Sequence, residues 1–257
     1  MNDSNYPKQL LSRIESLTGK PILVQADERA AGHAALKLAK NDQVAHVLLY
    51  KPIHESELPY LLASQCLLTL RTLEADDARR FDLTSKPIMH TEVPIMIREH
   101  WVAQGNPYPL ELLPQIAAQF SNGLGLQLRS MPIALRVEQV IFDQYPSLQP
   151  MQKANIDRQL QESMQALSPT VKAMAPRKII EANVSMSTAF AKFWSNLRND
   201  PTLVVPFHSA GYSSRGDKLL SIANSIPDSP DDDRQLVDAW AKELGLDEWF
   251  ETIPKQL

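Results

Sequence analysis

Proline placement constrains this chain more than any other feature: nineteen prolines stand against eight glycines. A proline inside a helix removes one backbone hydrogen bond and crowds the preceding turn, so helices tend to start beside one or stop short of it. Pro107, Pro109, Pro132, Pro146, Pro150, Pro169, Pro176 and Pro201 therefore cut the middle of the chain into segments. Their spacing predicts helices over 91–104, 110–130, 133–145, 149–167 and 171–197, the last broken near Pro176. Gly123 and Gly125 bend the second of these or let another helix approach it.

The N-terminal part reads differently. Leu10, Leu11, Ile14 and Leu17 recur at helical spacing. Thr18-Gly19-Lys20-Pro21 stops that helix, and residues 22–26 read as a strand. Residues 33–39 and 44–50 flank Lys40-Asn41-Asp42-Gln43, which is turn chemistry, so a hairpin is expected. Residues 57–75 form a long, largely apolar helix. The charged stretch 75–82 reads as a solvated helix end or a loop. Near the C-terminus, 202–205 reads as a short strand or extended segment and 208–216 as a Ser- and Gly-containing loop. Residues 226–233 read as a polar linker. A final helix is expected over 234–244, with Asp233 as N-cap and Gly245 as C-cap, and Trp249 and Phe250 tucked back onto the body.

The fold class these patterns predict is α+β and predominantly helical, with a small N-terminal sheet followed by a helical body. The expected division is residues 1–85, a helical body at 86–200, and an acidic segment at 201–257 packed on that body. The net charge is −4, and the last segment alone carries ten acidic and five basic residues, a balance of −5. Such a surface has no general attraction for nucleic acid or anionic membrane. The single cysteine, Cys66, excludes an intrachain disulfide and reads as a small buried residue. The start of the chain has no apolar signal core and no stretch is apolar enough to span a bilayer, so a cytoplasmic protein is expected.

The residues with most to say about function lie in Leu61-Leu62-Ala63-Ser64-Gln65-Cys66-Leu67-Leu68-Thr69-Leu70-Arg71. Leu62, Ala63, Leu70 and Arg71 fit the frame of a helix that in zinc peptidases carries His-Glu-x-x-His. There the two histidines, one turn apart, share the metal, and the glutamate polarises the attacking water. Here those three positions hold Ser64, Gln65 and Leu68. Serine is a poor zinc ligand, leucine is none, and a glutamine takes no proton near neutral pH.

On these residues, and on the order helix, small sheet with hairpin, helix, residues 5–75 resemble the ImmA/IrrE-type metallopeptidases with the active-site motif lost. Active members of that family often clip repressors or antitoxins in mobile elements and stress responses. The resemblance implies a zincin-like subdomain over 1–85 and a catalytically inactive protein that binds a protein partner in a prokaryotic regulatory, stress or defence system. It implies no metal and no cofactor. It also implies a cleft between the hairpin and the 57–75 helix, with the strand Ala45–Tyr50 at the cleft edge able to pair with a partner segment. His46, Leu48, Tyr50, Tyr60 and Arg71 would border that cleft. The family's third ligand is usually an acid on a following helix, for which Glu92, Glu99 and Glu111 are candidates by position.

Two other functions fit parts of the sequence. A metal-dependent hydrolase would use His54 with Glu55 or Glu57 and a distant ligand such as His90 or His100, although acids at that helix start are equally explained by the helix dipole. A helical DNA-binding regulator would use Arg79-Arg80 or Lys172, Arg177 and Lys178, but no helix-turn-helix pattern accompanies them. The 207–217 segment, with His208, Tyr212 and Arg215, matches no phosphate-binding loop or nucleophile elbow.

Overall fold

The computed structural model describes residues 6–30, 32–40, 42–105 and 108–255. Two of the sequence positions used above, Asn41 and Pro107, lie outside them. In chain order, the N-terminal elements are α1 (Tyr6–Thr18), β1 (Ile22–Ala26), β2 (Ala34–Lys37), β3 (His46–Tyr50) and α2 (Leu58–Glu74). Next come β4 (Phe81–Ser85), α3 (Pro87–Ala103), α4 (Leu113–Gln144), α5 (Gln149–Ser163) and α6 (Pro169–Met174). The chain finishes with α7 (Arg177–Arg198), α8 (Val205–Ser209), α9 (Ser213–Ser225), α10 (Asp233–Leu244) and β5 (Phe250–Pro254). The protein is α+β and predominantly helical, as its sequence predicts.

The first sheet has the order β1-β3-β2, with β3 parallel to β1 and antiparallel to β2. The expected hairpin is the β2–β3 pair. Alternation along β3 buries His46, Leu48 and Tyr50 on one face. That face packs with Leu10 and Ile14 of α1 and Leu61 and Cys66 of α2 in a small core. Val137 and Ile141 of α4 belong to the same core. A larger core gathers α3, α4, α7, α9 and α10 around Trp101, Trp194 and Trp240. The long helix α4 thus serves both.

Four local expectations are corrected. Helix α4 runs through Pro132 as a single element. Its buried flanks, packed on α2, α3, α7 and α10, hold it continuous where the proline removes a backbone bond. The segment after α2 includes strand β4, paired antiparallel with β5 at the far end of the chain. Local sequence cannot show that partnership. The expected extended segment and loop at 202–216 are a 3-10 turn followed by α8 and the start of α9. Asp233 begins α10 from inside it, and its carboxylate is taken by Arg71 and Arg136 in place of a capping role.

Two glycines are required by close approach. A Cβ on Gly216 would lie 2.6 Å from Thr188 Cγ2 and 3.2 Å from the Ala189 nitrogen, so α9 reaches α7 only without one. A Cβ on Gly125 would meet the Phe250 ring at 2.8 Å, which seats β5 against α4. Trp249 and Phe250 are buried, as expected.

Candidate functional site

Helix α2 starts with Pro59 in its first turn, where the missing N–H costs nothing, and then buries Tyr60, Leu61, Ala63, Ser64 and Cys66. Ser64 and Tyr60 are one turn apart and face Glu138 of α4. The Tyr60 hydroxyl donates to Glu138 Oε1 at 2.8 Å, and the Ser64 hydroxyl reaches the same oxygen at 3.5 Å. From α5, Gln152 Nε2 donates to Glu138 Oε2 at 2.7 Å. Burial pushes the Glu138 carboxyl up to about 7 against those three donors, which favour its charged form. Burial, followed by the neighbouring Glu138 charge, raises the Tyr60 phenol well above its ordinary value.

Gln65 and Leu68 lie half-buried on the side of α2 that looks toward β2. Lys51 N–H donates to the His33 carbonyl, so the ladder bonds of the hairpin fall at odd positions of β2 and the N–H groups of Ala34 and Leu36 point away from β3. β2 is therefore an edge strand. Its outward Leu36 N–H is met by Gln65 Oε1 at 3.4 Å.

Between β2, α2 and α4 lie two adjoining hollows. One, of about 670 Å³, extends from Gly32–Ala35 past Tyr60, Ser64 and Glu138 to Ile179 and Phe190 of α7. The second, of about 510 Å³, follows β2 onward through Lys40 to Arg79 and Arg129. Ala35, Gln65, Leu68, Leu126 and Ser130 border both, so the two form one groove along the open edge of β2.

Beside the first hollow, His33 and His54 stack with ring centroids 4.1 Å apart. Arg158 donates to His54 Nδ1 at 2.6 Å and to Glu57 Oε1 at 2.7 Å, and Asn155 donates to Glu57 Oε2 at 2.6 Å. Burial raises Glu57, but the bonds from Arg158 and Asn155 and the Arg158 charge hold it below its ordinary value. Burial, then the nearby His33 and Arg158, lowers His54.

The expected site residues separate into three groups. Ser64, Gln65, Leu68 and Tyr60 border the groove. His46, Leu48 and Tyr50 do not: β3 is the central strand, paired on both sides, and these side chains face the small core. His46 accepts from Ala39 N–H and contacts the Thr18 hydroxyl, each at 2.8 Å, joining the hairpin to α1. Arg71 borders the second hollow, but its guanidinium is held by Asp233 and Asp228.

The alternative metal set is dispersed. His54 and Glu57 are engaged by Arg158, Glu55 is exposed, His90 contacts Ser85, and His100 contacts the Lys172 carbonyl. Among the described residues no group of three His, Cys, Asp or Glu side chains is placed to hold a metal ion. The acid that a following helix brings to the Ser64 position is Glu138. Glu92 instead accepts from Trp249 Nε1, and Glu99 and Glu111 are exposed. Cys66 is fully buried and burial pushes its thiol up to about 12, which leaves it unreactive.

Sequence reasoning missed Glu138. The available signal was two charges, Arg136 and Glu138, flanking Val137 on a stretch that also buries Leu135 and Ile141. Among the described residues no helix is long and apolar enough to cross a membrane. Comparison of the chain with protein-family models, curated proteins and solved structures finds no match.

Proposed function

We propose that this protein is a non-catalytic, partner-binding regulatory module of a prokaryotic system, built on a peptidase-like frame. Its groove takes an extended segment of a protein partner as an added strand on β2. The observation that carries this reading is the Gln65–Leu36 contact at the groove floor. A side-chain amide occupies the position a neighbouring strand's carbonyl would take, and 3.4 Å is long for an N–H···O bond, so an incoming backbone carbonyl replaces it at little cost.

The composition of α2 supports the absence of peptidase chemistry. Ser64 and Leu68 give no ligand pair, and Gln65 has no basic carboxylate with which to activate water. The half-exposed Leu126 on the opposite wall supplies an apolar surface for alternate side chains of a bound strand.

The reading is tested by selecting binders from a displayed library of linear peptides with the full-length protein. Peptides that bind wild type and lose binding to Gln65→Lys, which fills the groove floor with a long charged chain, are the expected result. Binding unaffected by Gln65→Lys, or no selected peptide at all, contradicts it.

A further inference from the structure

We infer that the hollow at the Glu138 end of the groove receives a lysine or arginine side chain of the bound segment. This rests on the groove reading above and specifies the chemistry the segment must carry.

The charge pattern of the molecule points there. Three carboxylates are buried among the described residues: Glu57, Glu138 and Asp233. Arg158 neutralises the first, and Arg71 and Arg136 neutralise the third. Glu138, with 3% of its surface exposed, has only a phenol, a hydroxyl and an amide as partners. Buried carboxylates are usually paired with a cation, and this one borders a hollow whose described lining includes no lysine or arginine. A second carboxylate, Glu162, stands on the same lining beside His33.

The shape agrees with the charge. Leu68, Leu124, Ile179 and Phe190 provide apolar walls for the methylene stem of a long basic side chain, with the carboxylate as its terminus. The raised Glu138 carboxyl fits a group awaiting a cation, because an adjacent positive charge would return it to the ionised form. An acidic side chain would meet two carboxylates here. Lys37, Lys40 and Arg79 stand at the opposite end of the groove, so a cationic side chain is drawn specifically to the Glu138 end.

The test uses the same peptide library but reads residue preference. Wild-type selection should enrich lysine or arginine at one position. Replacing that residue with norleucine, which keeps the stem and removes the charge, should weaken binding about tenfold or more, the scale of one charge-assisted contact. Glu138→Gln should remove most of the difference between the lysine and norleucine peptides. If Glu138→Gln fails to fold, the lysine-to-norleucine exchange on wild type still decides the matter. Selected peptides with no basic preference, or equal affinity for lysine and norleucine forms, overturn this inference and leave the groove reading intact. A library that yields no binder overturns the groove reading and this inference with it.

Discussion

Tyr60 and Glu138 join α2 to α4 through a 2.8 Å hydrogen bond between two side chains that water scarcely reaches. The phenol donates and the carboxylate accepts, so the contact favours the charged form of an acid whose surroundings favour the neutral one. The groove wall is consequently sensitive to pH.

Glu138 makes stability depend on pH in a definite direction. Its ordinary value is 4.5 and its folded value about 7. Below about pH 4.5 both states hold the proton and no stability is lost. Between 4.5 and 7 the unfolded chain releases the proton while the folded protein keeps it, so stability falls as pH rises, by on the order of 3 kcal/mol, and levels off above about 7. Other carboxylates, such as Glu57 and Asp157, are lowered and act in the opposite sense. The difference between wild type and Glu138→Gln isolates the Glu138 contribution. Urea unfolding from pH 5 to 8 should show Glu138→Gln gaining on wild type as pH rises; parallel curves would contradict the assignment.

Tyr60→Phe removes the donor but keeps the ring. Because the lost bond serves the ionised carboxylate, the substitution should cost about 1.5–3 kcal/mol at pH 8 and less at pH 5. Denaturation at the two pH values measures this directly. A loss that is equal at both would mean the hydroxyl acts independently of the Glu138 charge.

Asp233 accepts from Arg71 Nε at 2.7 Å and Arg136 Nη1 at 2.9 Å, fastening the start of α10 to α2 and α4. Asp233→Ala leaves two largely buried guanidinium groups facing one another, with the half-exposed Asp228 as their remaining acid. A loss of about 3 kcal/mol or more is expected in urea unfolding. It should change little with added salt, since burial limits screening.

The legible part of this fold was its local part. Leu10, Ile14, the hairpin strands and α2 follow from spacing and turn residues, because each is set by near neighbours. The role of β3 was not legible: the resemblance implied an edge strand bordering a cleft, but the long-range β1–β3 pairing makes that strand central and turns His46, Leu48 and Tyr50 inward. The same limit hid β4, whose partner lies at the opposite end of the chain. Within the site, Ser64, Gln65 and Leu68 were legible as positions of one helix, and the structure turns Ser64 with Tyr60 toward Glu138, and Gln65 with Leu68 toward β2. Glu138 was not legible, since its approach depends on how α4 crosses α2. Asp233 had the composition of a cap and acts as an ion-pair acceptor, a distinction made by Arg71 and Arg136 from distant segments.

Strand addition on β2 is tested most directly by amide hydrogen exchange of the full-length protein with and without a peptide selected for binding. Slower exchange at Ala34 and Leu36, the outward-facing N–H groups of β2, with no change along the other sheet edge at Ile22–Ala26, is the result this account predicts. Saturating peptide that leaves both of those β2 amides unprotected, or that protects β1 instead, would contradict it.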